Sequence, residues 1–436
     1  METITNFSTR LIHRYLPSAF ILALLLTAIV FVLGIFVAGQ SPVQMVDYWG
    51  TGFPDLFKFA MEVSLVLLTG YVLAMAPLVQ RMLSWLAGHA STPKQALAIT
   101  IITSFVCYYL NWGFGMVVGA IIAREIGRRV AVHFPLIVAA AYGGELVRGP
   151  SSSIPLIIAT PGHFMEESIG IVPMSQTLYA PWNLLLTGML LLALLVFFLI
   201  QRQPEPIERL EDAGTGPEPH RATPADAPVD RIELSRWPTL LLGLFILTYL
   251  GQQFIRNGFS VNINIVILSF MALGLLLHHD AASYTEAVKK AIGATHGIVV
   301  QFPLYAGIAG MMTGSGLVTL LSNAIISVAT PQSFPLLTFL SAGLVNLFIP
   351  SGGGQWAIQG PVMMKAAYAL GADPAQTIMA FTWGDGWTNQ IQPFWALPLL
   401  GVAGLTARDI MGYLLVWLAI SGVLIAGTFV LLSMMG

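Results

Sequence analysis

Long apolar runs separated by short polar breaks fill almost the whole chain. Runs long enough to cross a bilayer fall near 18–38, 54–77, 95–123, 134–160, 181–200, 237–255, 261–278, 296–313, 315–349 and 409–434, while 350–405 is apolar but repeatedly interrupted. These runs predict helices, since barrel strands would show as alternating segments of about ten residues. The first run is too long for a signal-peptide core and no small-residue cleavage site follows it, so it reads as the first span. One stretch stands apart: 201–236 is polar, with Pro204, Pro206, Pro217, Pro219, Pro224 and Pro228 among many charges, a solvated linker dividing the chain. The expected organisation is an N-terminal segment with the first span (1–53), a first repeat (54–200), the linker (201–236), a connecting helix pair with a short polar segment (237–295) and a second repeat (296–436).

The sparse basic residues orient these runs. Arg10 and Arg14 before the first span place the N-terminus in the cytoplasm, and the next loop, 39–53, has no Lys or Arg. A straight span over 95–123 would put Arg124, Arg128 and Arg129 outside. Charge bias instead predicts that this run enters and returns, bending at Asn111-Trp112-Gly113-Phe114-Gly115, where an Asn and two glycines make poor helix interior. Continuing the count places 15 of the 19 Lys and Arg in the cytoplasm, leaving Lys58, Arg148, Arg256 and Lys365 elsewhere. The halves also match each other. Thr92-Pro93 and Thr330-Pro331 each precede an apolar run that ends in an Asn (Asn111, Asn346) and a Gly-rich break, and Tyr142-Gly143-Gly144-Glu145 parallels Trp383-Gly384-Asp385-Gly386. By the charge count the first repeat starts inward and the second outward. The expected fold is therefore an all-α polytopic membrane protein with two inverted-topology repeats, and matched Gly/Pro-interrupted segments in such repeats point to a secondary transporter with its site near the midplane.

Composition sharpens this reading. Hydrophobic residues make up 56% of the 436 and charged residues 9%, against about a quarter in soluble domains, which excludes a soluble enzyme. A net charge of -2 without a basic stripe excludes nucleic-acid binding, and one cysteine, Cys107, excludes an internal disulfide or a Cys-based metal site. The chain has no His-Glu-x-x-His and no P-loop, so neither zinc hydrolysis nor direct ATP coupling is expected; a membrane aspartyl protease would want two embedded Asp residues, where Asp385 stands alone. No enzyme activity and no bound cofactor are expected.

The candidate chemistry lies in four breaks: Asn111 to Gly115, Gly149-Pro150-Ser151-Ser152-Ser153, Pro350-Ser351-Gly352-Gly353-Gly354-Gln355 and Trp387-Thr388-Asn389-Gln390-Ile391-Gln392-Pro393. Non-helical backbone at membrane depth must be buried in protein or line a cavity. Each break creates a half-helix N-terminus whose free N–H groups suit an anion, with Gly admitting close approach and Ser adding a hydroxyl. The plain alternative is that the breaks are hinges or packing notches. Candidate substrate residues are Asn111, Gly113, Gly115, Arg148, Ser151, Ser152, Ser153, Asn346, Ser351, Gly352, Gly353, Gly354, Gln355, Gln359, Asn389 and Gln392; Glu145 and Asp385 are candidates for ion coupling. Glu145 and Arg148, three apart, either neutralise each other or serve the site. Asp385 has no adjacent cation and suits a proton, whereas Asn111, Asn346, Asn389 and broken-helix carbonyls suit Na+, and the sequence leaves both open. Lys58 and Glu62 read as a self-paired couple at a span end, and Arg124, Glu125, Arg128 and Arg129 as a cytoplasmic interfacial stretch.

The segment Pro350-Ser351-Gly352-Gly353-Gly354-Gln355-Trp356-Ala357-Ile358-Gln359-Gly360-Pro361 resembles the glycine motif of bacterial short-chain fatty acid transporters, and Asn111 to Gly115, Gln392 to Pro398 and Arg408 to Tyr413 are similar to that family as well. The resemblance covers nearly the whole chain apart from the linker. It departs at 145–156, where the family usually has a Gly-rich stretch leading to Ser-Gly-Ser-x-Pro-Leu and this chain has Glu145, Arg148 and Ser151-Ser152-Ser153. The resemblance implies re-entrant hairpins, an elevator-like transport domain in a dimerising scaffold, a bacterial inner-membrane location, and uptake of acetoacetate, butyrate or a similar monocarboxylate with H+ or Na+. An anion channel, a carrier of another small carboxylate and a binding-only sensor are the alternatives.

Overall fold

The computed structural model describes residues 7–8, 10, 19–150, 152–163, 165–210, 228–257 and 263–435; Arg14, Ser151 and linker residues 211–227 lie outside the described residues. The described residues are nearly all helical. In the first half the helices are α1 (Ala19–Phe36), α2 (Pro42–Gly52), α3 (Phe57–Met75), α4 (Pro77–Ala87), α5 (Pro93–Leu110), α6 (Trp112–Arg129), α7 (Phe134–Gly143), α8 (Ser153–Ile158), α9 (Glu166–Ile169) and α10 (Pro181–Leu199). After the short α11 (Pro228–Glu233) come α12 (Trp237–Asn257), α13 (Ile263–Leu277), α14 (Ala281–Ile292), α15 (His296–Gly314), α16 (Leu317–Ile326), α17 (Phe334–Asn346), α18 (Gly352–Leu370), α19 (Pro374–Thr388), α20 (Pro393–Ala403) and α21 (Ala407–Met435). The one β-bridge among the described residues pairs Val132 with Glu208.

Local chemistry sets the boundaries. Ser41 and Gln44 form a capping box on α2, and Thr92 and Asp373 cap α5 and α19, each with Pro at the first helical position. Ala76 precedes Pro77 and turns extended, so α3 and α4 meet at 78°. The run 315–349, expected as one span, is split: α15 turns 65° into α16 across Ser315 and Gly316 (φ +80°), and α16 stops before Thr330-Pro331, where Thr330 and Ser333 hydrogen-bond each other's backbone and side chains. Among the described residues three helices, α10, α12 and α21, are long and apolar enough to cross a membrane unbroken, and the bent pairs α3–α4 and α15–α16 qualify jointly. The runs 18–38 and 261–278 each form one shorter apolar helix, α1 and α13, and the runs 95–123 and 134–160 are divided.

The same succession appears in each half: a bent pair, a helix–break–helix, then a helix ending in a 3-10 turn (Gly144–Leu146, Asn389–Ile391) before another short helix. The halves pack into one another, with α20 against α6 and α21 against α7, while α17 lies along α19. Gly384 permits that last approach, since a Cβ there would run into the Phe339 carbonyl. Small residues at helix contacts are the packing device expected where lipid removes the hydrophobic drive between helices.

Candidate functional site

The four breaks converge. Asn111 ends α5 in extended geometry and caps α6, its Oδ1 accepting from the N–H groups of Gly113 (2.9 Å) and Phe114 (3.1 Å). Gly113 and Gly115 serve packing here, abutting Val66 and Tyr108. The neighbouring Trp112 ring meets Trp395 edge-on at 5.5 Å, which joins this break to the start of α20. Gly149, in the second break, lies against the Tyr109 carbonyl at the end of α5.

The second and third breaks meet at the N-terminus of α18, together with Asp385 of α19, two residues before the fourth break. A Cβ on Gly352 would stand 2.8 Å from both Asp385 Oδ2 and Ser153 Oγ, so a hydroxyl, a carboxylate and a bare stretch of backbone share one spot. The Arg148 guanidinium presses on Gly386, one residue beyond Asp385. Ser351 caps α18 through a long bond from the Gly354 N–H (3.4 Å), and Gly353 lies beside Ile157 of α8. Ser152 is buried, and Ser151 is outside the described residues. α8 has six residues against nineteen in α18, so the developed helix dipole at this point belongs to α18.

Glu145 and Arg148 pair. Arg148 Nη2 donates to Glu145 Oε1 (3.4 Å) and to the Glu145 carbonyl (3.2 Å), and its Nε to the Leu146 carbonyl (3.1 Å), which clips the unwound backbone. Glu145 also accepts from Asn389 Nδ2 (3.2 Å) and Gln390 Nε2 (3.1 Å), tying the 3-10 turn of one half to that of the other. Asn346 Nδ2 donates to Thr388 Oγ1 (2.9 Å) and Asn389 Oδ1 (2.8 Å), and Gln392 Nε2 to the Asn346 carbonyl (2.5 Å). Gln355 reaches back to the Ala342 carbonyl and to Gln359 Oε1, both at 2.9 Å, and Gln359 to Ser341 Oγ (2.8 Å). The amides expected at the site thus bond to one another rather than standing apart, Asn346, Asn389 and Gln392 with Glu145 in one buried network and Gln355 with Gln359 in a second, while Asn111 caps α6.

Sequence reasoning passed over Tyr142, whose hydroxyl donates to the Asn389 carbonyl (2.9 Å), and Gln390. The matched Tyr-Gly-Gly-Glu and Thr-Asn-Gln segments carried that signal. It also passed over the cavity of about 560 Å³ between α2, α15 and the tip of α18, lined by Asp47, Asp55, Thr313, Pro350, Ser351 and Gly354 among others. Among the described residues no group of three or more His, Cys, Asp or Glu could hold a metal ion. Lys58 and Glu62 stand 3.9 Å apart, and at the end of α6 Arg128 pairs with Glu125 at 2.7 Å while Arg124 reaches the Val402 carbonyl.

Comparison with known proteins gives a consistent result. The short chain fatty acid transporter family model matches residues 1–432. A protein of Escherichia coli K12, provisionally named a short-chain fatty acid transporter, is 42% identical over 97% of each chain. One of Haemophilus influenzae Rd with the same provisional name is 39% identical over 95% of this chain and 96% of its own. Among solved structures, the Alcanivorax borkumensis YdaH transporter aligns over 96% of this chain and 98% of that one, at 16% identity and a TM-score of 0.42. With its apolar helices and a family match over nearly its full length, the chain belongs to the short chain fatty acid transporter family.

Proposed function

We propose that the protein carries butyrate, acetoacetate or a similar small monocarboxylate across the bacterial inner membrane by cation-coupled symport, with the carboxylate at the N-terminus of α18. The observation that carries this is the meeting of Gly352, Ser153 and Asp385 at that helix end, beside a cavity reached by Ser351 and Gly354. The free N–H groups of α18 supply up to about 2 kcal/mol toward an anion, and each buried CH₂ adds about 0.8 kcal/mol, or about fourfold in affinity. Binding is then weak, in the micromolar to millimolar range, with broad chain-length preference, as a carrier that must release its cargo requires.

An ionised Asp385 beside the anion position opposes substrate, so a cation that offsets it favours loading; this is the physical basis of the coupling. The matched succession of elements in the two halves supports inverted repeats, and the family resemblance supports an elevator movement in a homodimer with the N-terminus in the cytoplasm. Reconstituted protein in liposomes, given labelled butyrate or acetoacetate under imposed proton and sodium gradients in turn, tests the reading. Saturable, gradient-driven uptake that is lost in Gly352→Val is expected. Absence of saturable uptake of either acid refutes the substrate assignment.

A further inference from the structure

The buried amide network has a polarity that the carboxylate site leaves unused. Glu145 is a pure acceptor when ionised, so it fixes which end of each neighbouring amide faces it. Asn389 and Gln390 must turn their NH₂ groups to its two oxygens. Asn389 then presents Oδ1 to Asn346, which fixes the Asn346 NH₂ toward Asn389 and Thr388. Gln392 gives its NH₂ to the Asn346 carbonyl, and Gln355 gives its NH₂ to Ala342 and Gln359. Every amide in this chain of contacts therefore has its orientation set by an acceptor.

Four oxygens remain. Asn346 Oδ1, Gln355 Oε1, Gln390 Oε1 and Gln392 Oε1 are buried and receive no hydrogen bond from the protein. Their side chains are 0%, 0%, 0% and 4% exposed. Such acceptors cost about 1–3 kcal/mol each if nothing approaches them. Asn346 ends α17 and Gln390 follows the end of α19, two helix C-termini whose dipoles are negative, while Gln392 caps α20 and Gln355 lies in the first turn of α18. The ionisable groups around these oxygens are two acids, Glu145 and Asp385, against one base, Arg148, which leave one negative charge in a buried region whenever both acids are ionised.

We propose that this network binds a single Na+ ion, held by the side-chain oxygens of Asn346 and Gln392 with Gln390 and Gln355 at its flanks. Neutral amide oxygens suit a monovalent ion; Ca²⁺ and Mg²⁺ ordinarily require directly ligating carboxylates, and Glu145 is taken by Arg148, Asn389 and Gln390. Arg148 does not fill the role, since its guanidinium is bound to Glu145 and to the carbonyls of residues 145 and 146. The ion restores neutrality close to Asp385 and so favours a carboxylate at the α18 end. Its transport role rests on the symport reading, but its binding does not.

The test is thermal unfolding of the purified full-length protein in detergent, without any carboxylate substrate, in NaCl, KCl or choline chloride at one ionic strength and pH. Saturable stabilisation by NaCl over the other two salts is expected. Gln392→Leu should weaken the apparent Na+ affinity at least tenfold, measured against the variant's own midpoint in choline, since the change also removes the hydrogen bond to the Asn346 carbonyl. Gln390→Met gives a second reading in case Gln392→Leu does not fold. Equal midpoints in the three salts, or an unchanged Na+ response in a folded variant, overturn the proposal. Selective Na+ stabilisation with no uptake of butyrate or acetoacetate keeps this site and refutes the substrate assignment instead.

Discussion

Glu145→Ala is the most informative single perturbation of the interior. The carboxylate accepts three side-chain hydrogen bonds, from Arg148, Asn389 and Gln390, at 3.4, 3.2 and 3.1 Å. Its removal strands a buried guanidinium and the two amides that join the halves. Hydrogen bonds to charged groups contribute about 1.5–3 kcal/mol, and breaking a buried ion pair from one side costs about 3–5 kcal/mol. The longer contact to Arg148, and the two carbonyls that still hold Arg148, place the loss at the lower end, about 3 kcal/mol. Arg148→Ala leaves Glu145 with both amide donors and should cost about 2 kcal/mol. Because the two changes remove one shared interaction, the double variant should cost less than their sum by about 1–2 kcal/mol. Denaturant unfolding of the purified protein in mixed micelles measures all three differences. A Glu145→Ala loss below about 0.5 kcal/mol, or strict additivity in the double variant, refutes the view that this carboxylate anchors the network.

Two further outcomes follow from other contacts. Gly384→Ala should destabilise the fold by about 1–3 kcal/mol, because the added Cβ meets the Phe339 carbonyl, which is backbone and cannot rotate away; the same unfolding assay checks it against Gly427→Ala, where nothing lies within 4 Å. The second concerns the start of the linker, where Leu210 N–H donates to the Gly127 carbonyl and Gln203 Oε1 accepts from the His133 N–H. Burial lowers the His133 pKa from 6.5, against the opposing Pro206 carbonyl and Asp409, so the docked state favours neutral imidazole. Docking should be full above about pH 6.5 and weaken as pH falls through the lowered value, read as faster tryptic cleavage at the exposed Arg209 in acid and as loss of that acid response in His133→Gln.

What the sequence made legible was whatever is decided within a few residues. Asn111 ends one helix and caps the next because an Asn side chain reaches its own backbone two and three residues on, and the break at 111–115 follows directly. The Thr-Pro and Asp-Pro helix starts are equally local. The run 315–349 misled because its apolar character is unbroken across Gly316 and Pro331, and hydropathy does not register a positive φ or a missing N–H. The linker read as solvated from its prolines and charges, yet residues 203–210 lie against α6 and the α6–α7 turn, since extended proline-rich backbone leaves carbonyls and N–H groups free for pairing.

The site divides along the same line, and the division bears on mechanism. Matched motifs in the halves selected nearly all of its residues, but not their partners. Glu145 and Arg148 stood open between pairing and substrate contact because a spacing of three permits both; the fold decides by bringing Asn389 and Gln390 to the same carboxylate. Asn346, Gln355 and Gln392 were candidates for the substrate, and Asn346 for Na+ as well; in the fold their NH₂ groups are taken by carbonyls and by other side chains. Whether an amide serves an anion or a cation is set by which end its neighbours leave free, a property of three-dimensional contacts spanning more than 200 residues of sequence. The proposed arrangement therefore separates the two charges of a symporter by the groups left free: N–H groups and hydroxyls at the start of α18 for the carboxylate, side-chain amide oxygens around the ends of α17 and α19 for the cation. The residues joining those poles, Asp385 at one and Glu145 at the other, are held in register by the Arg148 clip. A substitution that loosens the clip should then weaken carboxylate and cation binding together, even without contact to either.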